Sequence, residues 1–278
     1  MNRSRVETAG VTVATLGRDR IDLSKPDIVA DAIAALRPAM VVNASAYTAV
    51  DKAESDIDAA FALNRDGPAA LAFACATLGA PLVHISTDYV FDGAKPAPYV
   101  ETDAKNPATA YGRSKSAGED AVLAANANAA IIRTSWVYAS HGTNFLRTML
   151  RLAETREEVG VVADQLGRPT WARDLAEATM AVALRARDND PAARGVLHYG
   201  GAGDAVWADF AEAIFAGAAA RGLKSARVKR ITTADYPTPA RRPANSRLDT
   251  TKIENTLGVK PRDWREACDA CLSELAAR

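Results

Sequence analysis

Short apolar runs rich in β-branched residues alternate along this chain with longer alanine-rich stretches of helical character. The runs are Val11–Leu16, Met40–Ala44, Pro81–Ser86 and Ala129–Arg133. Between them the pattern predicts helices near Pro26–Leu36, Asp58–Leu78 and Ala110–Ala125. Ser24 is expected to cap the first, with Pro26 in its opening turn and Asp27 three residues after the cap. A strand followed by a crossover helix, repeated, is the signature of an α/β fold: a doubly wound, mainly parallel sheet covered on both faces. After Trp136 the pattern loosens into a helix around Asn144–Arg156, a strand at Val159–Val162, a helix at Asp174–Arg187, a strand at Val196–Tyr199 and a helix at Trp207–Arg221. The proline-rich segment Tyr236–Ala244 is a loop before two closing helices, because each proline lacks a donor and restricts the residue before it.

Composition narrows the class. At 278 residues, 48% hydrophobic and 24% charged, the chain can bury a sizeable core as one large or two modest domains. Lys+Arg and Asp+Glu are both 34, so no long-range positive field gathers nucleic acid or acidic lipid. Three cysteines make no disulfide framework, Met1–Thr8 is polar where a secretory leader would be basic and then apolar, and no apolar run approaches membrane-spanning length. The expectation is a cytoplasmic protein with neither nucleic acid nor membrane as partner.

The chemistry concentrates in Ser86–Gly93 (STDYVFDG), at the end of a predicted strand, followed by Tyr111 and Lys115. Ends of parallel strands are where open α/β sheets bind ligands. Tyr111 and Lys115 are four apart on a helix, so both side chains leave one face a turn apart. An ammonium beside a phenol pulls the phenol's pKa down from its ordinary value near 10, which suits a general acid for carbonyl reduction. Thr87 can complete a pair of hydroxyls around a carbonyl oxygen. Taken alone, the tyrosine–lysine spacing is more often that of an amphipathic surface pair; the strand and loop before it reverse the balance in favour of chemistry.

Six ordered segments carry a resemblance: Val42–Glu54 (VNASAYTAVDKAE), Ser86–Gly93, Tyr111-x-x-x-Lys115, Arg133–Tyr138 (RTSWVY), Asp164–Thr170 (DQLGRPT) and Arg242–Asp249 (RPANSRLD). Together they resemble the extended short-chain dehydrogenase/reductase family and, within it, the dTDP-4-dehydrorhamnose reductases. The resemblance implies a Rossmann-like NAD(P)-binding domain over residues 1–140. Residues 141–278 then form a smaller C-terminal, mainly substrate-binding region with some segments returning to the sheet. It implies reduction of the C4 keto group of dTDP-4-dehydro-β-L-rhamnose, with Tyr111 as proton donor, Lys115 at the nicotinamide ribose lowering the tyrosine pKa, and Thr87 at the reacting oxygen. Asp22 and Leu23 would flank the adenine, Ala46, Tyr47 and Thr48 the pyrophosphate and nicotinamide side, and Ile85 the cofactor. Thr87 and Asp88 would touch the sugar, Trp136 would cover it, and Arg242 would meet the diphosphate. A core role for Trp136 and a solvated basic loop for Arg242 and Arg241 stay open. Related dehydratases usually place a glutamate after the Thr-Asp pair; Tyr89 stands there, which favours reduction. Another 4-keto-6-deoxyhexose reductase, or a non-catalytic regulatory subunit on the same scaffold, are the alternative readings.

The resemblance also sets expectations for the start of the chain. Met1–Gly10 reads as the remains of a first crossover helix and Val11–Leu16 as the second strand of the sheet, without the first strand and glycine-rich turn of the family. A form so shortened is expected to bind NADPH weakly. Leu16-Gly17-Arg18 ends without a carboxylate for a ribose 2′-hydroxyl, so Arg18 is a candidate for a 2′-phosphate, favouring NADPH over NADH, with a plain surface role as its rival. Gly200–Gly203 is read as a turn, and Cys268 and Cys271 as small residues on a packed helix face. His84, His141 and His198 are too scattered for a zinc cluster. Mg²⁺ and a homodimer contact are known in the family, but the matching motifs locate neither.

Overall fold

The structure, a computed structural model, describes residues 5–8 and 11–277. At its centre four parallel strands lie in the order Gly195–His198, Ala129–Thr134, Leu82–Thr87, Val41–Asn43. Alternation along each strand divides their side chains between two faces. Leu82, Ala129 and Ile131 pack with Val29, Ile33, Leu71 and Val122, from the helices Val29–Leu36, Gly67–Thr77 and Ala110–Ala125. Val83, Ala130 and Ile132 pack with Leu175, Val182 and Ile253, from the helices Ala172–Arg187 and Thr251–Leu257. Every residue of Ala129–Thr134 is buried, which is why that run reads as continuously apolar rather than alternating up to Arg133.

A second layered unit stands beside the sheet. The helices Phe145–Ala153, Trp207–Ala219 and Trp264–Ala276 bury Leu146, Phe210, Ile214 and Trp264 against Val159 and Val161. Those valines belong to the strand Glu158–Val162, which pairs in parallel with Arg227–Ile231. Sequence pattern misses Arg227–Ile231, because only Val228 and Ile231 of its five residues turn from solvent while three are exposed. Cys268 and Cys271 are buried in this core and form no disulfide. Burial pushes the Cys268 thiol up to about 12, so it stays protonated as packing material.

Four expectations are corrected. Val11–Ala14 is not a strand of the parallel sheet; it pairs antiparallel with Arg5–Thr8 as a separate ribbon. Arg5–Thr8 is accordingly strand and not helix, and residues 1–4, 9 and 10 of the same segment lie outside the described residues. Ser24 does not cap the next helix. Its hydroxyl and N–H both donate to Asp22 Oδ1, at 2.7 and 3.0 Å, and the chain enters through a 3₁₀ turn at Pro26–Ile28 before Val29–Leu36. The single helix expected over Asp58–Leu78 is three pieces: Ile57–Phe61, a π turn at Ala62–Asp66, and Gly67–Thr77. Pro68 is the physical cause: it has no N–H for the Asn64 carbonyl four residues back, and its ring needs the room that a wider turn provides. Among the described residues no helix is long and apolar enough to cross a membrane.

Candidate active site

Thr87 ends the Leu82–Thr87 strand, and its Oγ1 accepts from the Tyr89 N–H at 3.2 Å while donating to Asp88 Oδ1 at 3.0 Å. This turn meets the start of the Ala110–Ala125 helix, where Thr109 Oγ1 accepts from the Gly112 N–H at 3.0 Å. Gly112 permits the approach: a Cβ there would lie 2.2 Å from the Tyr89 carbonyl oxygen. The result brings Tyr111, 8% exposed, to a hydrogen bond with the Thr87 side chain and to edge-on contact with the Tyr89 ring at 5.5 Å.

Electrostatics at this corner differ from the sequence expectation. Burial pushes the Tyr111 phenol up to about 12, opposed by the Thr87 hydrogen bond and reinforced by the Asp88 carboxylate. Lys115 does not pull it down, because its ammonium is engaged elsewhere: Nζ lies 2.7 Å from the Ile85 carbonyl oxygen and 3.1 Å from His84 Nε2. Burial lowers Lys115 to about 8, opposed by Glu119 one turn along the helix. Asp88 is raised to about 6 by burial, against hydrogen bonds from Ser246 and Thr87, and its Oδ2 is buried without a partner. Tyr111 is thus a protonated phenol at neutral pH, the form in which it can act as an acid.

Arg242 enters from the proline-rich loop. Its Nη2 donates to Asp51 Oδ2 at 2.6 Å, Asp51 Oδ1 accepts from the Ala240 N–H at 3.1 Å, and Arg242 also hydrogen-bonds the Tyr89 side chain. Arg242 Nη1 is buried with no hydrogen-bond partner, so one guanidinium edge next to the tyrosine pair is free for an anion. The solvated-loop reading of Arg242 therefore gives way to an anchored one.

The remaining candidates spread around this corner. Tyr47 is held twice, by its backbone to Asn64 (N–H to Oδ1 at 2.7 Å, carbonyl from Nδ2 at 3.1 Å) and by its hydroxyl to Asp56 Oδ2 at 2.9 Å. Asn64 Nδ2 also donates to Ser114 Oγ at 2.9 Å, tying the loop Ala46–Thr48 to the Tyr111 helix. Leu23 is buried, and its carbonyl oxygen would lie 2.2 Å from a Cβ on Gly67. Asp22 pairs with Arg18, whose side chain is 77% exposed. Trp136 adopts φ +51° and stacks on Trp207 with ring centroids 3.7 Å apart, its other neighbour being Gly167, where a Cβ would meet the indole at 2.4 Å. Sequence reasoning missed Asn43, His84, Asp51 and Asn64. His84 was legible only as a strand histidine; that it meets Lys115 depends on which strand the helix crosses. Among the described residues there is no group of three or more His, Cys, Asp or Glu that could hold a metal ion.

The family model described as RmlD substrate binding domain matches residues 3–277. The chain belongs to the RmlD family. A dTDP-4-dehydrorhamnose reductase of Sinorhizobium fredii is 51% identical over 92% of this chain and 87% of its own length. One of Burkholderia thailandensis is 46% identical over 96% of the chain and 92% of its own. Among solved structures, a dTDP-4-dehydrorhamnose reductase of Clostridium acetobutylicum superposes with a TM-score of 0.86 at 37% identity, covering 93% of this chain and 88% of that one. The reductase of Bacillus anthracis in complex with NADP superposes at 0.87 with 33% identity, covering 93% and 89%. The RmlD fold thus accounts for both layers of the molecule, the parallel sheet and the C-terminal unit against it.

Proposed function

We propose that this protein reduces the C4 keto group of dTDP-4-dehydro-β-L-rhamnose with NADPH, giving dTDP-β-L-rhamnose. One observation carries the reading: a buried, protonated Tyr111 hydrogen-bonded to Thr87 at the carboxyl end of a central parallel strand. The relatives' names supply the substrate, and the NADP complex of a relative supports the cofactor.

The residues present fit a nicotinamide dinucleotide and an anionic sugar. As an ammonium Lys115 has three donors, of which the Ile85 carbonyl engages one and His84, in the tautomer that leaves Nε2 bare, a second, leaving one for a ribose hydroxyl. When bound, the reduced nicotinamide supplies the hydride. The Thr87 and Tyr111 hydroxyls hold the keto oxygen between them, and Tyr111 gives its proton to the alkoxide that develops there. Removal of that proton leaves a phenolate, which the Thr87 hydrogen bond favours. Arg242 offers its free Nη1 to the diphosphate, while Trp136, stacked on Trp207 and backed by Gly167, covers the deoxysugar with its ring edge. Ala46, Tyr47, Thr48, Ile85, Asp22, Leu23 and, at a 2′-phosphate, Arg18 line the dinucleotide side. The protein works as a homodimer in the cytoplasm, where cysteines outside any disulfide, such as the three buried ones here, stay reduced.

The purified chain should oxidise NADPH only when the 4-keto-L-sugar nucleotide is present, with the rhamnose nucleotide as product by mass spectrometry and NMR. No turnover with either NADPH or NADH, from protein that is folded and binds the cofactor, would overturn the reading.

A further inference from the structure

Lys115 is 1% exposed, and the groups around it form a single chain of hydrogen bonds leading away from Tyr111. Its Nζ lies 3.1 Å from His84 Nε2. On the far side of the ring, His84 Nδ1 lies 3.0 Å from Asn43 Nδ2. Asn43 is turned this way because its Oδ1 accepts twice from Ser45, from the N–H at 3.0 Å and from Oγ at 2.7 Å. His84 and Asn43 are both buried, whereas Ser45 is exposed, so the chain runs from the cleft to the surface.

We propose that Asn43 and His84 are positioning residues for Lys115, coupling its charge to the tautomer of His84 and the orientation of the Asn43 amide. An amide nitrogen only donates, so Nδ1 must accept and the neutral ring carries its proton on Nε2. Nε2–H then donates to Lys115, which can accept only as a neutral amine. The ammonium form needs the reverse: Nε2 accepts, Nδ1–H must find an acceptor, and Asn43 turns its carbonyl inward, releasing Ser45. One proton is gained overall, Nε2 passing its proton to Nζ while Nδ1 takes up the incoming one. Each charge state of Lys115 thus has one matching arrangement of the chain, and the Asn43–Ser45 bonds favour the neutral one.

The other groups facing the pair leave this coupling intact. From its own helix Lys115 feels Glu119, and Glu119 is held by Arg133 of the Ala129–Thr134 strand at 2.9 and 2.7 Å, with Lys105 at 3.6 Å. Asp88 acts on Tyr111 from beyond the Leu82–Thr87 strand. The strand Val41–Asn43 contributes only the neutral amide. Burial, with the charge of Lys115 adding, holds His84 well below its ordinary value, so the ring itself stays neutral and only its tautomer changes.

Long-range proton–nitrogen NMR of the histidine rings reads this without any substrate. In the unaltered protein His84 should carry its proton on Nδ1 at about pH 6 and on Nε2 at about pH 10, changing over with Lys115. Asn43→Asp gives Nδ1–H a permanent acceptor while one oxygen still serves Ser45; it should hold the Nδ1–H tautomer throughout. It should also raise the alkaline limb of the kcat profile by about one pH unit, a tenfold change in proton affinity. Lys115→Met should abolish the pH dependence of the His84 signal, and serves as the control should Asn43→Asp fold poorly. One His84 tautomer across the whole range, or a changeover that survives in Lys115→Met, would overturn the proposal. Its kinetic arm rests on the reductase reading and the NMR arm does not, so absent turnover beside a normal changeover would count against that reading alone.

Discussion

Arg242 and Asp51 are 191 residues apart in sequence and form an ion pair at 2.6 Å, clasping the proline-rich loop to the short helix Val50–Ala53. Asp51 also accepts from the Ala240 N–H, so the loop is fastened at two points. Because Asp51 is well exposed, the pair adds little to stability, about 1 kcal/mol at most. Its worth is placement, since it leaves Arg242 Nη1 beside Tyr89.

Arg242→Ala should therefore raise KM for the sugar nucleotide about tenfold or more, the loss expected of one charged hydrogen bond, with a smaller change in kcat. Its urea midpoint should stay close to that of the unaltered protein. Steady-state kinetics beside an unfolding curve check both; an unchanged KM would remove Arg242 from the binding site.

Tyr111→Phe removes the phenolic proton while Thr87 keeps its bond to Asp88. Turnover should fall by about 10² to 10⁴, the usual contribution of a positioned acid. NADPH binding, followed by fluorescence, should change little. Retained turnover would exclude Tyr111 as the proton donor.

Asp88 keeps its proton up to about pH 6 in the fold against an ordinary 3.8, mainly through burial. A raised carboxyl favours the fold when protonated, so this contribution is full at low pH and is lost as pH rises through that interval. The roughly two-unit shift corresponds to about 3 kcal/mol. Asp88→Asn, which cannot ionise and still offers Thr87 an acceptor, should be more stable than the unaltered protein at about pH 8, with the difference closing towards about pH 4. Urea unfolding at several pH values measures it, and equal midpoints at high pH would show that Asp88 is not held at a cost.

Gly118 faces the turn that Pro68 widens. A Cβ at Gly118 would lie 1.9 Å from the Asn64 carbonyl oxygen, a backbone atom that cannot swing aside. Gly118→Ala should cost about 1 to 3 kcal/mol by overpacking. It should also reduce activity, because Asn64 holds both Tyr47 and Ser114. An unfolding midpoint like that of the unaltered chain would show that the π turn yields easily.

Much was legible from local pattern alone. The apolar runs at Leu82–Thr87 and Ala129–Thr134, the helix carrying Tyr111 and Lys115, and the strand-end position of Thr87 all follow from periodicity and spacing, which act over a few residues. Short-range chemistry of that kind brought Thr87, Tyr111 and Lys115 forward as candidates, and six ordered segments carried the resemblance to the family.

Long-range placement was not written there. Val11–Ala14 has the composition of a sheet strand, yet whether it joins the parallel sheet or a separate ribbon depends on its partner, and pairing is not a property of one segment. Whether Lys115 faces Tyr111 or His84 likewise turns on a difference of a few ångströms in how one helix crosses one strand. Spacing put tyrosine and lysine on the same helix face; the crossing of chains 31 residues apart in sequence decided which group the ammonium meets, because burial leaves it only the partners that packing brings within reach.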